Sequence, residues 1–249
     1  MHPQSAYHTV LHSLPDAQGM PLLAEKVFAQ GFRREFDRPG FALLSLETPI
    51  TSHALREFLF ALKAALSECC RRTTGRSLVV FGLSRFDQQN STRFHLDGGP
   101  EESYLLLGYE PSVVESALRM ADYSKAAFDL GLTPEGYLSE HNPMFTSGER
   151  MLADYTTPVQ GFDSRTAQVL LVNNSRLPFA PSYAHPLGVL HQATILTPQP
   201  DKSRVINSIL LTSAAPDTGE PLADSVHQEF LRTEVISGEI QVSSQESDA

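Results

Sequence analysis

Leucines recur at three- and four-residue steps between Leu55 and Leu66, and this spacing places them along one face of a helix. Thr51 or Ser52 is suited to cap that helix, because a hydroxyl side chain can accept a hydrogen bond from a free amide of the first turn. We therefore expect an amphipathic helix that runs from this cap to about Arg72.

Elsewhere the apolar residues come in short runs between glycine, proline and polar residues, a pattern typical of strands. Strands are predicted at residues 41–46, 77–86, 92–96, 103–109, 168–172, 189–196 and 204–212, and further helices at 111–130, 134–141 and 222–236. This order of elements predicts a mainly β core, either a barrel or two facing sheets, with helices packed outside it.

The negative charge of the chain is concentrated at its C-terminal end. The 249 residues carry a formal net charge of −10, and eight acids with one base follow from Asp217 onwards. We expect one domain over residues 1–216, with a helical insert at about 111–150, and an acidic extension over residues 217–249. Nucleic acid is not an expected partner, since binding to phosphates requires clustered cations.

Two cysteines, Cys69 and Cys70, are adjacent and offer no disulfide framework, which favours a reducing compartment. No apolar run approaches the length of a membrane span, and the first residues lack the pattern of a signal peptide. We expect a cytoplasmic protein without a membrane partner. The sequence does not indicate an oligomeric state.

Candidate chemistry appears in the segment RFHLDGGP, which contains His95 and Asp97. Side chains two apart on a strand point the same way, and Gly98 follows at once, so both groups are expected at a strand end. His191 lies inside a later predicted strand. Two imidazoles and one carboxylate form the facial triad of non-haem iron oxygenases, which leaves coordination positions open.

Arg204 begins the next predicted strand, 13 residues after His191. A guanidinium inside a β core is costly to bury without a carboxylate partner, and a dicarboxylate cosubstrate would supply one. Ser208 is four residues further along the same strand face and could donate a second hydrogen bond.

The pair His95 and Asp97, the distal His191 and the following Arg204 resemble the 2-oxoglutarate/Fe(II)-dependent dioxygenase superfamily, over roughly residues 77–213. The resemblance implies a double-stranded β-helix (a jelly roll, cupin-like). It also implies Fe(II) held by the three ligands, 2-oxoglutarate paired with Arg204, dioxygen as the oxidant and hydroxylation of a small-molecule substrate.

The chain departs from the family at one position. Many members have a serine two residues after the arginine, where this chain has Ile206. Either Ser208 takes over the role of that serine in holding 2-oxoglutarate, or no residue does.

Alternatives to this site remain open. A rival ligand set would combine His227 and Glu229 with His185, but residues 222–236 are predicted to be helical, where side chains two apart diverge. Without a metal, His95 would be a hydrogen-bonded histidine at the edge of the core. The corresponding alternative functions are a cupin-like metal enzyme that does not use 2-oxoglutarate and a non-catalytic barrel that binds a ligand.

Overall fold

Two β-sheets face each other, and helices cover the outer face of the larger sheet. A computed structural model describes residues 7–180 and 185–240. The strands are β1 (His8–Leu11), β2 (Phe41–Leu46), β3 (Ser77–Asp87), β4 (Ser103–Tyr109), β5 (Ser116–Ala121), β6 (Thr156–Pro158), β7 (Ala167–Asn173), β8 (Leu190–Ile195), β9 (Val205–Ala214) and β10 (Ser237–Ile240). The helices are α1 (Gly19–Gly31), α2 (Ser52–Thr74), α3 (Tyr123–Asp129), α4 (Pro134–Glu140), α5 (Thr146–Met151) and α6 (Asp224–Arg232), with a 3-10 turn at Ala153–Tyr155.

Within the described residues the larger sheet has the order β1-β2-β7-β4-β9-β3-β10, and the smaller has the order β6-β5-β8. Residues 91–95 extend the smaller sheet along β8. There the amide of Thr92 donates to the carbonyl of Ala193 at 2.9 Å, and His95 and His191 exchange two backbone hydrogen bonds of 3.1 Å each.

From β3 to β9 the chain passes back and forth between the two sheets, which is the winding of a jelly roll. The predicted mainly β fold with packed helices, a double-stranded β-helix, is therefore confirmed. The core consists of two facing sheets and is not a closed barrel.

Alternating side chains give the larger sheet two apolar faces. On β4, Tyr104 and Leu106 contact the helix layer, whereas Leu105 and Leu107 point towards the smaller sheet. Helix α2 lies close against this strand, since a Cβ atom placed on Gly108 would lie only 2.9 Å from Leu59 Cδ1. The helices thus seal one face of the sheet and leave the other to form the interior between the sheets.

Helix α2 agrees with the prediction. Its first turn is capped by Thr51, whose hydroxyl accepts a hydrogen bond from the amide of Ala54 at 3.1 Å. It ends at Thr74, and Gly75, which follows, has the left-handed φ of 72° that is common after the last turn of a helix.

The predicted helix over residues 111–130 was wrong for its first half. Residues Ser116–Ala121 form strand β5, which pairs with β8 and β6. In SALRMA, Leu118 and Met120 are buried, whereas Ala117 and Arg119 beside them are more exposed, which is the period of a strand. The helical part of the insert begins only at Tyr123, after Asp122 caps α3 through the amide of Lys125.

The predicted helix over residues 222–236 is shorter than expected. Helix α6 ends at Arg232, because the backbone turns extended at Thr233 and leads into β10 on the edge of β3. Leu222 and Phe230 of the acidic extension are buried in the core between the helices and the larger sheet. Residues 241–249 of that extension lie outside the described residues.

No helix in the described ranges combines the length and apolarity needed to span a membrane. Both Cys69 and Cys70 are buried free thiols on α2.

Candidate metal centre

His95 and His191 face each other across the junction between residues 91–95 and β8. Their backbones form an antiparallel bridge, and this pairing brings the two imidazole rings to a centroid separation of 4.2 Å. His191 shares its strand face with Ala193, which packs in the interior between the sheets. Local β pairing, and not a loop, therefore sets the distance between the two rings.

Asp97 follows two residues after His95 and points to both imidazoles. Its Oδ1 atom lies 3.4 Å from His95 Nε2 and 3.6 Å from His191 Nε2. One possible ligand atom from each residue lies within 4.8 Å of the other two, and across residues 7–180 and 185–240 no other three His, Cys, Asp or Glu side chains form such a group.

The loop that carries Asp97 is held by Asn174, a buried residue directly after β7. Its side-chain oxygen accepts from the Asp97 amide at 2.9 Å, and its amide nitrogen donates to the Asp97 carbonyl at 3.0 Å and to Ser103 Oγ at 2.9 Å. Asn174 thus ties the loop to the start of β4. The sequence analysis missed this residue, since an asparagine at a strand end also suits an ordinary turn.

His95 has a defined tautomer in this arrangement. Its Nδ1 atom lies 2.7 Å from the carbonyl oxygen of Arg93, which can only accept a hydrogen bond. Nδ1 therefore carries a proton, and Nε2 is the ring nitrogen that faces Asp97 and would be offered to a metal. A partner of this kind orients a histidine for metal binding.

Burial and mutual interactions shift all three pKa values. Burial lowers the pKa of His191 to about 4, and the nearby Asp97 offsets this only in part. Burial also acts to lower the pKa of His95, but its hydrogen bonds to Asp97 and to the Arg93 carbonyl prevail and raise it. Burial acts to raise the pKa of Asp97, but the two histidines lower it overall. The site thus pairs a neutral His191 with an ionised carboxylate.

This donor set fits Fe(II). Two imidazole nitrogens and one carboxylate oxygen are the donor set of non-haem Fe(II) sites, and three such ligands would leave positions on the ion for other molecules. The exposed fractions of the side chains, 30% for His95, 37% for Asp97 and 13% for His191, place the group at the border of an open space. His191 Nδ1 is buried, and no described group hydrogen-bonds to it.

That space is a cavity of about 930 Å³ that the three residues help to line. Such a volume suits a small molecule together with a cosubstrate. Its inner wall consists of apolar side chains from the facing sheets, namely Leu105, Leu107, Leu118, Met120 and Ile206. Tyr109 and Gln88 also line it, and these two residues contact Arg204.

Arg204 is 2% exposed, yet the structure describes no ion pair for it among residues 7–180 and 185–240. Its Nε donates to Ser116 Oγ at 2.8 Å, one Nη donates to Gln88, and its guanidinium carbon lies 5.1 Å from the centroid of the Tyr109 ring. The other nitrogen, Nη2, is buried without an acceptor. Burial lowers the pKa of Arg204, but a guanidinium remains charged at neutral pH.

Ser208 lies on β9 and lines the same cavity, four residues beyond Arg204 and on the same strand face. The burial of Tyr109 raises the pKa of its hydroxyl to about 12, so the ring stays neutral beside the guanidinium.

The rival residues His185, His227 and Glu229 are not brought together in the part of the chain that the structure describes.

No protein-family model and no curated protein matches the sequence. Among solved structures, the chain is similar to the crystal structure of asparagine oxygenase, with 11% identity and a TM-score of 0.43 over 83% of this chain and 92% of that one. It is also similar to asparagine oxygenase in complex with Fe(II), 2S,3S-3-hydroxyasparagine and succinate, with 12% identity and a TM-score of 0.41 over 84% and 94%. Likeness at this level leaves the chemistry of this chain to be argued from its own side chains.

Proposed function

We propose that this protein is a non-haem Fe(II), 2-oxoglutarate-dependent dioxygenase that hydroxylates a small-molecule substrate. One observation carries the proposal. A single cavity is lined by a cluster of two imidazoles and a carboxylate, and Arg204 lies behind Gln88 and Tyr109 of its wall. Arg204 is a buried cation with an unpaired donor, and among the described residues no carboxylate forms an ion pair with its guanidinium, although the charge of Asp87 acts on it from farther away.

His95, Asp97 and His191 are the residues that would hold the metal. When bound, Fe(II) supplies the redox chemistry by which dioxygen and 2-oxoglutarate give succinate, CO2 and a hydroxylated product. The chain itself positions the reactants. Asn174 holds both the backbone N–H and the backbone C=O of Asp97. The Arg93 carbonyl fixes the orientation of the His95 ring.

Arg204 would bind the distal carboxylate of 2-oxoglutarate through its free Nη2 atom. Ser116 and Gln88 already orient the guanidinium, so little conformational freedom is lost when the anion arrives. Ser208 is placed to donate a further hydrogen bond from the cavity wall. The apolar side chains of the inner wall keep water away from this ion pair and strengthen it.

The same features weigh against the alternatives. A cupin-like metal enzyme that works without 2-oxoglutarate has no need of a buried, unpaired arginine. A ligand-binding barrel without a metal has no need of a carboxylate held between two imidazoles, since a desolvated carboxylate is stable only with partners.

Metal retention tests the proposal directly. We expect the wild-type protein to bind one equivalent of Fe(II) without oxygen and to form succinate from 2-oxoglutarate in air. Asp97→Ala should lose both properties with an unchanged circular dichroism spectrum. His12→Gln is a matched control, because the His12 side chain is 83% exposed and lies outside the cluster. Iron binding that survives in Asp97→Ala would contradict the assignment.

A further inference from the structure

The cavity continues beyond the metal cluster into a region with a different wall. We define this outer part by Phe81, Gly82, Ser84, Leu210, Pro221 and Leu222. Phe81 is 48% exposed, so it stands where the cavity meets the surface. Leu210 connects the outer part to the metal loop, because a Cβ atom on Gly99, two residues after Asp97, would lie 2.8 Å from Leu210 Cδ2.

The outer wall is built by a β-bulge and by the acidic extension. The register of β3 against β9 shifts between Val80 and Gly82, so Phe81 is the extra residue of the bulge. The Val80 amide donates at 2.7 Å to the carboxylate of Glu220. This bond fastens the chain directly before Pro221 and Leu222 and holds both residues against the cavity.

The charged side chains that line the cavity are all acidic. None of the described residues that line the cavity is a lysine or an arginine, and the charged ones are Asp87 and Asp97. Asp87 is already engaged, since its Oδ1 accepts from the Arg204 amide at 2.8 Å and from Gln89 at 2.7 Å. The one buried guanidinium at the cavity border, Arg204, is assigned to 2-oxoglutarate.

We propose that the outer part binds the body of an uncharged, predominantly apolar small molecule, and that it selects against substrates that carry a carboxylate or a phosphate there. An anion in this part would lie against mostly apolar side chains without a cationic partner, and the charged residues elsewhere in the lining, Asp87 and Asp97, would repel it. The inference rests on the proposed function, because it takes the metal cluster as the reacting end and Arg204 as occupied by 2-oxoglutarate.

Indole and indole-3-acetate are suitable probes, since they share an apolar body and differ by one carboxylate. Both are titrated by calorimetry into protein that holds Fe(II) and saturating 2-oxoglutarate without oxygen, so that Arg204 is already paired. We expect indole to bind at least about tenfold more tightly than indole-3-acetate.

Two variants place a cation in the outer part without touching the metal cluster. Phe81→Arg changes a half-exposed side chain, and Ser84→Lys changes a half-buried one on the same wall. Both variants should bind indole more weakly and indole-3-acetate more tightly than the wild type does. Their affinities for Fe(II) and 2-oxoglutarate should be unchanged. Phe145→Arg, at a side chain that is 66% exposed and lies outside the cavity lining, should leave the preference as in the wild type.

The outcomes separate the two proposals. The inference is overturned if the wild type binds indole-3-acetate as tightly as indole or more tightly, or if it does not bind indole up to the solubility limit. The proposed function still holds in either case if the protein binds iron and 2-oxoglutarate. An equal change of preference in Phe145→Arg also overturns it. Failure to bind iron and 2-oxoglutarate in the same preparation overturns the proposed function itself.

Discussion

Buried arginines show how the chain treats desolvated charge, and Arg204 is the exception among them. Arg33 pairs with Asp122, and Arg56 and Arg85 both lie within 4.0 Å of Glu110. A guanidinium buried without a carboxylate in ion-pair contact is costly, so its retention directly behind the cavity wall argues for an anionic ligand.

Arg204→Met tests that argument at the level of one residue. The change keeps an unbranched apolar side chain but removes the charge and the free donor, so the affinity for 2-oxoglutarate should fall by more than about tenfold. Calorimetry without oxygen gives this affinity, and Fe(II) binding to the same variant should be unchanged. Ser208→Ala should cause a smaller loss, because one neutral hydrogen bond contributes about 1 kcal/mol. An unchanged 2-oxoglutarate affinity in Arg204→Met would remove Arg204 from its role.

Asn174 is a positioning residue for the metal loop, and its effect should appear in metal affinity. In Asn174→Ala the Asp97 peptide loses both side-chain hydrogen bonds, so we expect a fall in Fe(II) affinity of about 10–100-fold. Asn174→Asp keeps the acceptor for the Asp97 amide but not the donor. Its Fe(II) affinity should therefore lie between that of the wild type and that of Asn174→Ala. A merely structural role would lower the melting temperature of both variants and leave the metal affinity of the folded protein as in the wild type.

The sequence predicted which residues to examine but not how they are held. The two-residue spacing predicted that His95 and Asp97 point the same way, and His191 was a candidate because it lies inside a later predicted strand. The structure brings the three together. Their role as metal ligands stays a prediction. Asn174 could not be found in this way, because its contacts with Asp97 join positions 77 residues apart.

At the scale of elements, the strength of the local pattern decided what could be predicted. Helix α2 has 23 residues, a cap and a long apolar stripe, so its local signal was unambiguous. Strand β5 has six residues with Ala117 and Arg119 between its inward side chains, a composition that also suits a helix. Its pairing with β8 supplied the deciding hydrogen bonds, and that pairing is not visible in a local window.

Glu220 provides a test of how the extension is attached to β3. Its carboxylate accepts from the Val80 amide at 2.7 Å and contacts the Lys63 ammonium group. Glu220→Ala leaves that amide without its acceptor and should lower the free energy of unfolding by about 1–3 kcal/mol, as measured in urea. Glu68→Ala removes an exposed pair with Arg71 and should lower the free energy of unfolding much less than Glu220→Ala. Equal effects of the two changes would show that the Glu220 contact is only a surface interaction.

At the scale of the whole molecule, alternation along the strands predicted two apolar faces, but it could not give the order of the strands. The pairing of β1 with β2 is parallel, and β10 joins the edge of β3 from a segment about 150 residues later in the chain. Neither contact leaves a periodic signal. The acidic composition from Asp217 onwards suggested an extension apart from the domain, because charge dominates composition there and hides the few buried apolar side chains.

Those buried side chains predict that the described part of the extension unfolds together with the body. Phe230 of α6 is 0% exposed, and its ring lies 6.0 Å from that of Phe60 on α2, edge to face. Phe230→Ala should therefore lower the free energy of unfolding by about 3–5 kcal/mol, whereas Ile236→Ala, at a side chain that is 41% exposed, should cost less than about 1 kcal/mol. Urea unfolding followed by circular dichroism and by tyrosine fluorescence should give one coincident transition for both variants. An early separate transition in Phe230→Ala, with the main midpoint unchanged, would show that α6 is a detachable appendage, because a helix that completes the core cannot leave it without weakening the whole.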